Sequence, residues 1–264
     1  MNAESSLRIA LVLASVLILL TGLRLYQSHW GPDPECVRKL MHLGGGLLAC
    51  MLPTLFDSAE PVLLLCTATF LGLLALRYLP SLKRGIGKVI SCVDRRSGGD
   101  LCFPVAVGLV YFDAGGDLIL YLLPLLILTF ADPAAALVGS RYGFTRFGLS
   151  PRAKSLEGSV VFFVVSFLTA HVTLSWVGDA GGAEAFLVSV LLSLLLTVVE
   201  AATGGGFDNF LIPVCGLFLL RMLLPMESGP LALWLVVSGA AVTPFLFRLV
   251  NDARDERPRR RHAL

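Results

Sequence analysis

Several carboxylates and cations stand where this chain is otherwise apolar. Asp132 lies inside a long hydrophobic run, Glu200 near the end of another, and Asp208 with Asn209 at the opening of a third. Lys154, Ser155 and Glu157 immediately precede a fourth run, and Arg38, Lys39 and His42 open a fifth. Ionisable groups in hydrocarbon are costly and usually mark function. "GGGFDN" (Gly204 to Asn209) is a glycine-rich turn between two runs. Glycine reaches positive φ and lets a ligand approach the backbone. The helix that follows presents unsatisfied N–H groups and the positive end of its dipole, which suits a phosphate. "AKSLEGS" (Ala153 to Ser159) puts a cation, hydroxyls, a carboxylate and a glycine at another helix start. The stretch before it carries Arg141, Arg146, Arg152 and Lys154 without one acid, which fits a polyanion. Asp132, Glu200 and Asp208 offer the hard oxygen ligands that Mg²⁺ takes, often one or two carboxylates together with phosphates.

Each feature also has a purely structural reading. Arg146 and Arg152 serve equally as topology signals, as do the arginines of the C-terminal tail. Ser155 with Glu157 reads as a helix cap. Asp132 before Pro133 would cap a helix break, Glu200 would pair with a neighbouring cation, and His42 would be a packed histidine. Gly44, Gly45 and Gly46 fit close helix packing. No G-x-S-x-G, H-E-x-x-H or Walker sequence is present, which argues against a serine hydrolase, a zincin or a P-loop ATPase.

The elements that must position these groups follow from composition. The 264 residues are 56% hydrophobic and 15% charged, with a mean hydropathy of +0.80. Soluble domains carry about 25% charged residues, and a water-soluble globule could not hide this much apolar surface. Disorder is excluded for the same reason. A net charge of +2 argues against a nucleic-acid binder. The six cysteines are scattered, with no C-x-x-C pair, and predict neither a zinc site nor a redox motif.

A membrane-crossing helix needs about 20 mainly apolar residues. Nine segments qualify as candidates: 7–27, 40–56, 61–79, 98–113, 117–139, 158–177, 184–204, 207–224 and 230–250. The fourth is marginal in length. The first, preceded by Arg8, lacks a small-x-small cleavage site and reads as a retained span. The expected fold is an all-α, polytopic transmembrane helix bundle, because backbone polar groups in lipid must be satisfied internally. It forms a single integral membrane domain over 1–264, with 1–27 a peripheral first span, 38–224 the catalytic core and 251–264 a basic cytoplasmic tail.

Charge sets the orientation. Arg38 and Lys39 follow the first span; Lys83, Arg84, Lys88, Arg95 and Arg96 follow the third; Arg141, Arg146, Arg152 and Lys154 follow the fifth. The tail holds Arg254, Arg257, Arg259, Arg260 and Arg261. The opposite connections carry Asp57, Glu60, Asp113, Asp117, Asp179, Glu184 and Glu227, with no Lys or Arg. The positive-inside rule then puts the N-terminus outside and the C-terminus in the cytoplasm. All the candidate site residues fall on the cytoplasmic face.

Four blocks carry a family resemblance. "RKLMHLGGG", "ADPAAALVGSRYG", "SPRAKSLEGS" and "EAATGGGFDNFLIP" run in order from Arg38 to Pro213, about two thirds of the chain. Together they resemble the CTP-dependent lipid-alcohol kinases: dolichol kinase, phytol kinase and the yeast-type diacylglycerol kinase. Phosphatidate cytidylyltransferase is similar in its D-x-x-A-x-x-x-G-x-x-x-G and K-[ST]-x-E-G blocks, but ends in an aspartate-rich segment near D-R-x-D. Here the matching place reads "GFDNF", the Asp-Asn form of the kinases. The chain departs from the pattern at Pro133 and in its three consecutive glycines.

The resemblance implies transfer of the γ-phosphoryl group of CTP to the hydroxyl of a membrane lipid alcohol, with Mg²⁺. It implies that Lys154, Arg38, Lys39 and Arg152 neutralise the triphosphate. Asp132 and Asp208 would bind metal or act as base towards the alcohol, and Glu200 and Asn209 would complete the metal or nucleotide shell. Gly139, Gly143 and Gly158 would let backbone approach phosphate, beside His42, Ser155 and Glu157. The alternatives are a cytidylyltransferase making CDP-diacylglycerol and a non-enzymatic transporter. No internal repeat of the transporter kind is evident.

Overall fold

The computed structural model describes residues 3–84, 87, 98–147, 154–177 and 181–261, with backbone alone at 83–84, 245–246 and 248–261. Arg152, with Lys88, Arg95, Arg96 and Asp179, lies outside the described residues. In chain order the elements are α1 (Ala3–Trp30), α2 (Pro34–Cys50), α3 (Leu52–Leu55), α4 (Ala59–Tyr78), α5 (Pro80–Arg84), α6 (Gly99–Ala114) and α7 (Leu118–Tyr142). They continue with β1 (Arg146–Phe147), β2 (Lys154–Ser155), α8 (Leu156–Val177), α9 (Gly182–Ala202), α10 (Asp208–Leu223) and α11 (Ser228–Arg261).

The fold is nearly all-α, and each of the nine apolar segments holds a long helix. Among the described residues, five helices (α1, α4, α7, α8 and α9) are long and apolar enough to cross a membrane. The helices α2, α6 and α10 have 17, 16 and 16 residues. At 1.5 Å per residue these reach only about 24–26 Å. The all-α expectation needs one amendment, the antiparallel ladder in which Arg146 faces Ser155 and Phe147 faces Lys154. The helix break read at Asp132 before Pro133 is also absent from α7. Pro133 lacks the N–H that would bond to residue 129, yet the helix runs unbroken past Asp132.

Local chemistry explains the helix boundaries. Asp33 accepts from the Glu35 N–H at 3.1 Å, and Pro34 supplies a preset φ in the first turn of α2. Asp117 accepts from the N–H groups of Ile119 and Leu120 and so caps α7. Gly115 ends α6 in the left-handed region at φ +61°. The interruption at Met51 follows from Pro53, which cannot donate to the Ala49 carbonyl one turn back. The Tyr121 hydroxyl donates to that carbonyl instead, at 2.7 Å.

The described residues separate into two compact units. The first comprises 1–129 and 203–217. Its core joins α4 and α6, where Val62, Leu65, Val107 and Val110 are buried with Tyr121, Leu125 and Leu217. The Cβ that Gly108 lacks would lie 3.4 Å from Cys66, so the glycine sets the approach of these two helices. The first helix packs along α2 and α4 through Leu20, Leu23 and Val37. Arg8 donates to the Leu55 carbonyl at 2.6 Å, and the Tyr111 hydroxyl to the Phe56 carbonyl, so side chains satisfy the end of α3.

The second unit comprises 130–202 and 218–264. Its centre is the α8–α9 pair, with Phe162, Ala170 and Leu174 buried on one helix and Val188, Leu191, Leu192 and Leu196 on the other. Ser166, Ser189 and Ser193 are buried in the same helices. Small residues of this kind let helix backbones approach closely where lipid removes the hydrophobic drive for association.

Candidate functional site

The first unit holds Arg38, Lys39, His42, Asp208 and Asn209. Arg38 and Lys39 fall in the second turn of α2. Arg38 pairs with Glu35 at 2.9 Å, and Lys39 is buried. His42 lies one turn further on, and its Nε2 is 3.0 Å from the Leu128 carbonyl. A carbonyl can only accept, so Nε2 carries the proton. The His42 ring also lies 6.4 Å, centroid to centroid, from that of Phe103 on α6.

The start of α6 also receives the Asp-Asn pair. The Asn209 amide donates to the Gly99 carbonyl at 2.9 Å, and the Gly98 N–H donates to the Gly205 carbonyl at 3.1 Å. The turn before α10 holds Gly205 at φ +69° and Gly206 at φ +94°, values that side chains oppose. A Cβ at Gly99 would stand 2.8 Å from the Asn209 amide nitrogen and 3.0 Å from Gly206 Cα. The first two turns of α6 therefore support both His42 and Asn209. The same turns contain Asp100, paired with Arg77 of α4 at 3.0 Å. Reading along the sequence did not single out this pair. The available signal was an acid at the start of one apolar segment and an arginine at the end of the one before it.

The second unit holds Asp132, Gly139, Gly143, Lys154, Ser155, Glu157, Gly158 and Glu200. Asp132 is buried on α7, nearly three turns before the helix ends. Lys154 extends from β2 to Glu200 on α9 and donates to both its carboxylate and its main-chain carbonyl. Ser159 adds a hydroxyl 3.4 Å from the other Glu200 oxygen. The Glu200 side chain is only 8% exposed, so this is a largely desolvated ion pair. The structural reading of Glu200, pairing with a neighbouring cation, is thereby observed.

Ser155 is the N-cap of α8, accepting from the Gly158 N–H at 3.1 Å. Glu157 does not close a capping box; its carboxylate accepts from the Thr145 N–H at 3.1 Å and so holds the turn entering the ladder. The three glycines of the two blocks converge on Ser155. A Cβ at Gly139 would come within 2.9 Å of Ser155 Oγ, one at Gly143 within 2.7 Å, and one at Gly158 within 3.1 Å. What these backbones approach in this structure is one another and the serine.

Among the described residues no group of three or more His, Cys, Asp or Glu is placed to hold a metal ion. A divalent cation of the Mg²⁺ kind prefers carboxylate and other hard oxygen ligands. The carboxylates of Asp132 and Asp208 match that preference.

No family model matches the chain, and no solved structure matches it significantly. It is similar to the phytol kinase of Synechocystis sp. (strain ATCC 27184 / PCC 6803 / Kazusa), with 28% identity over 196 residues, covering 68% of this chain and 76% of that protein. A likeness this distant supports, at most, kinship with the lipid-alcohol kinases.

Proposed function

We propose that this protein is an integral membrane kinase that transfers the γ-phosphoryl group of CTP to the hydroxyl of a lipid alcohol of the phytol, polyprenol or diacylglycerol type. The observation that carries the reading is the likeness to a phytol kinase over 68% of the chain. The four motif blocks point the same way, and the apolar helices agree with a substrate that resides in the bilayer.

The chemistry asks for positioning and charge neutralisation more than covalent catalysis. The alcohol oxygen attacks the γ-phosphorus, the bond to the β-phosphate oxygen breaks, and CDP leaves with the electron pair. The hydroxyl proton passes to a carboxylate, for which Asp132 and Asp208 are the candidates. Arg38, Lys39 and Lys154 draw the triphosphate to the cytoplasmic face, the side that the positive-inside pattern assigns. Glu200 keeps Lys154 oriented, and an incoming phosphate oxygen competes for the same ammonium. Bound Mg²⁺ would offset the remaining triphosphate charge, with Asp132 or Asp208 as a candidate protein ligand.

Purified protein incubated with γ-labelled CTP and a panel of phytol, undecaprenol, dolichol and diacylglycerol tests the reading. Label in one lipid, with stoichiometric CDP, is the expected result. Release of pyrophosphate, or label in no lipid of the panel, overturns it.

A further inference from the structure

An apolar groove of about 440 Å³ runs between α4 and α6 in the first unit, lined by Cys66, Phe70, Pro104, Val105, Gly108 and Phe112 among others. Val105 and Phe112 are exposed at its rim. Its one hydroxyl, that of Thr67, already donates to the Leu63 carbonyl at 2.8 Å. The groove offers a ligand hydrocarbon contact and nothing polar.

Its lower end is different. Arg77 lies two turns beyond Phe70 on α4, and Asp100 one turn before Pro104 on α6. Their ion pair therefore joins the two helices beyond the groove's last lining residues at this end, Phe70 and Pro104. Arg77 engages Asp100 Oδ1. The Asp100 side chain is only 9% exposed, and among the described residues its Oδ2 is buried with no hydrogen-bond partner. A buried carboxylate oxygen left in that state costs free energy, and a hydroxyl group would satisfy it. A ligand that fits the whole feature has one hydroxyl at the end of a long hydrocarbon chain. The neighbouring residue Gly99 accepts from Asn209, so Asp100 adjoins the Asp-Asn element of the candidate site.

We propose that Asp100 Oδ2 accepts the hydrogen bond of the lipid alcohol's hydroxyl in the bound state, while the chain lies in the α4–α6 groove, and that the hydroxyl turns its one proton to the base carboxylate only as its oxygen attacks. This rests on the kinase reading for the identity of the alcohol. It adds the binding path and the positioning residue for the acceptor. From Asp100 to Phe112 the helix rises about 18 Å at 1.5 Å per residue, which accommodates most of a C20 chain.

The full-length protein in nanodiscs, photolabelled with a diazirine-bearing phytol analogue, provides the test. Crosslinks are expected within 63–70 and 104–112, displaced by phytol and not by phytane, which has no hydroxyl. Val105→Trp, filling the groove from its exposed rim, should abolish them. Leu71→Trp, on an exposed part of α4 outside the lining, should leave them intact. In the kinase assay, Asp100→Asn should raise the KM for phytol about tenfold or more with the KM for CTP unchanged, as expected for one hydrogen bond to a charged acceptor. Crosslinks elsewhere, equal displacement by phytane, or labelling indifferent to Val105→Trp would overturn the proposal. A wild-type protein that is labelled as expected but phosphorylates no lipid would overturn the kinase reading alone.

Discussion

Lys154 has an observed partner, Glu200, and a proposed one, the triphosphate, and the two separate on substitution. Lys154→Ala would remove the proposed cation for the triphosphate and also takes the ammonium away from the buried Glu200 carboxylate. Breaking a desolvated pair by deleting one member costs about 3–5 kcal/mol. A marked drop in thermal unfolding temperature is expected together with loss of turnover. The double variant Lys154→Met with Glu200→Gln removes both charges and should recover much of the stability and none of the activity. Turnover that returns with stability would leave Lys154 a structural role alone. Ser155→Ala should cost about 1 kcal/mol through the lost α8 cap, read as a modest shift in the same melt. That cap was legible in advance, because a serine immediately before an apolar run is a local signal. The partners of Lys154 and Glu157 were not, since Glu200 lies 46 residues from one, and the Thr145 N–H that binds the other is a main-chain donor with no sequence signature.

At the level of elements, hydropathy located the long helices because each apolar segment is long compared with the error in its ends. It missed the break at Met51, where Pro53 frees the Ala49 carbonyl for Tyr121, 72 residues away. It also missed the β1–β2 ladder, whose strands of two residues carry no periodicity. Tyr121→Phe strips a buried carbonyl of this donor and should destabilise the first unit by about 1–3 kcal/mol, measured as a lowered melting temperature. The turn at Gly205 and Gly206 makes a second expectation. Alanine at Gly205 must hold a left-handed backbone, at a cost of about 1–2 kcal/mol. Gly205→Ala should therefore shift Asp208 and Asn209 and reduce turnover more than it reduces stability. Equal activity in that variant would show that the Asp-Asn pair tolerates movement.

For the molecule as a whole, composition identified the bilayer as solvent, since among the described residues five helices meet the length and hydropathy of a membrane span. Nothing in a hydropathy profile says which helices pack together. The division that places Asp132 in one unit and Asp208 in the other was accordingly invisible. Orientation remains a proposal drawn from charge, and single-cysteine labelling of intact cells tests it. Cysteines replacing Asp57, Asp117 or Glu227 should react with a membrane-impermeant maleimide from outside, and those replacing Arg141 or Arg254 only after permeabilisation. The reverse pattern would move the proposed nucleotide site to the wrong face.

The 16 residues of α6 sit in the same unit as the 28 of α1, and Val105, Leu109 and Phe112 of α6 are exposed. In the proposed nine-span bundle α6 crosses the bilayer, and lipids against it would compress their acyl chains to meet its ends, while those along α1 would not. Such mismatch costs fractions of a kcal/mol per Å, and it would draw headgroups inward beside the Arg77–Asp100 pair. Catalysis should then be fastest in vesicles of short-chain phosphatidylcholine and decline as the host chains lengthen, making the thickness of the surrounding membrane a control on the enzyme.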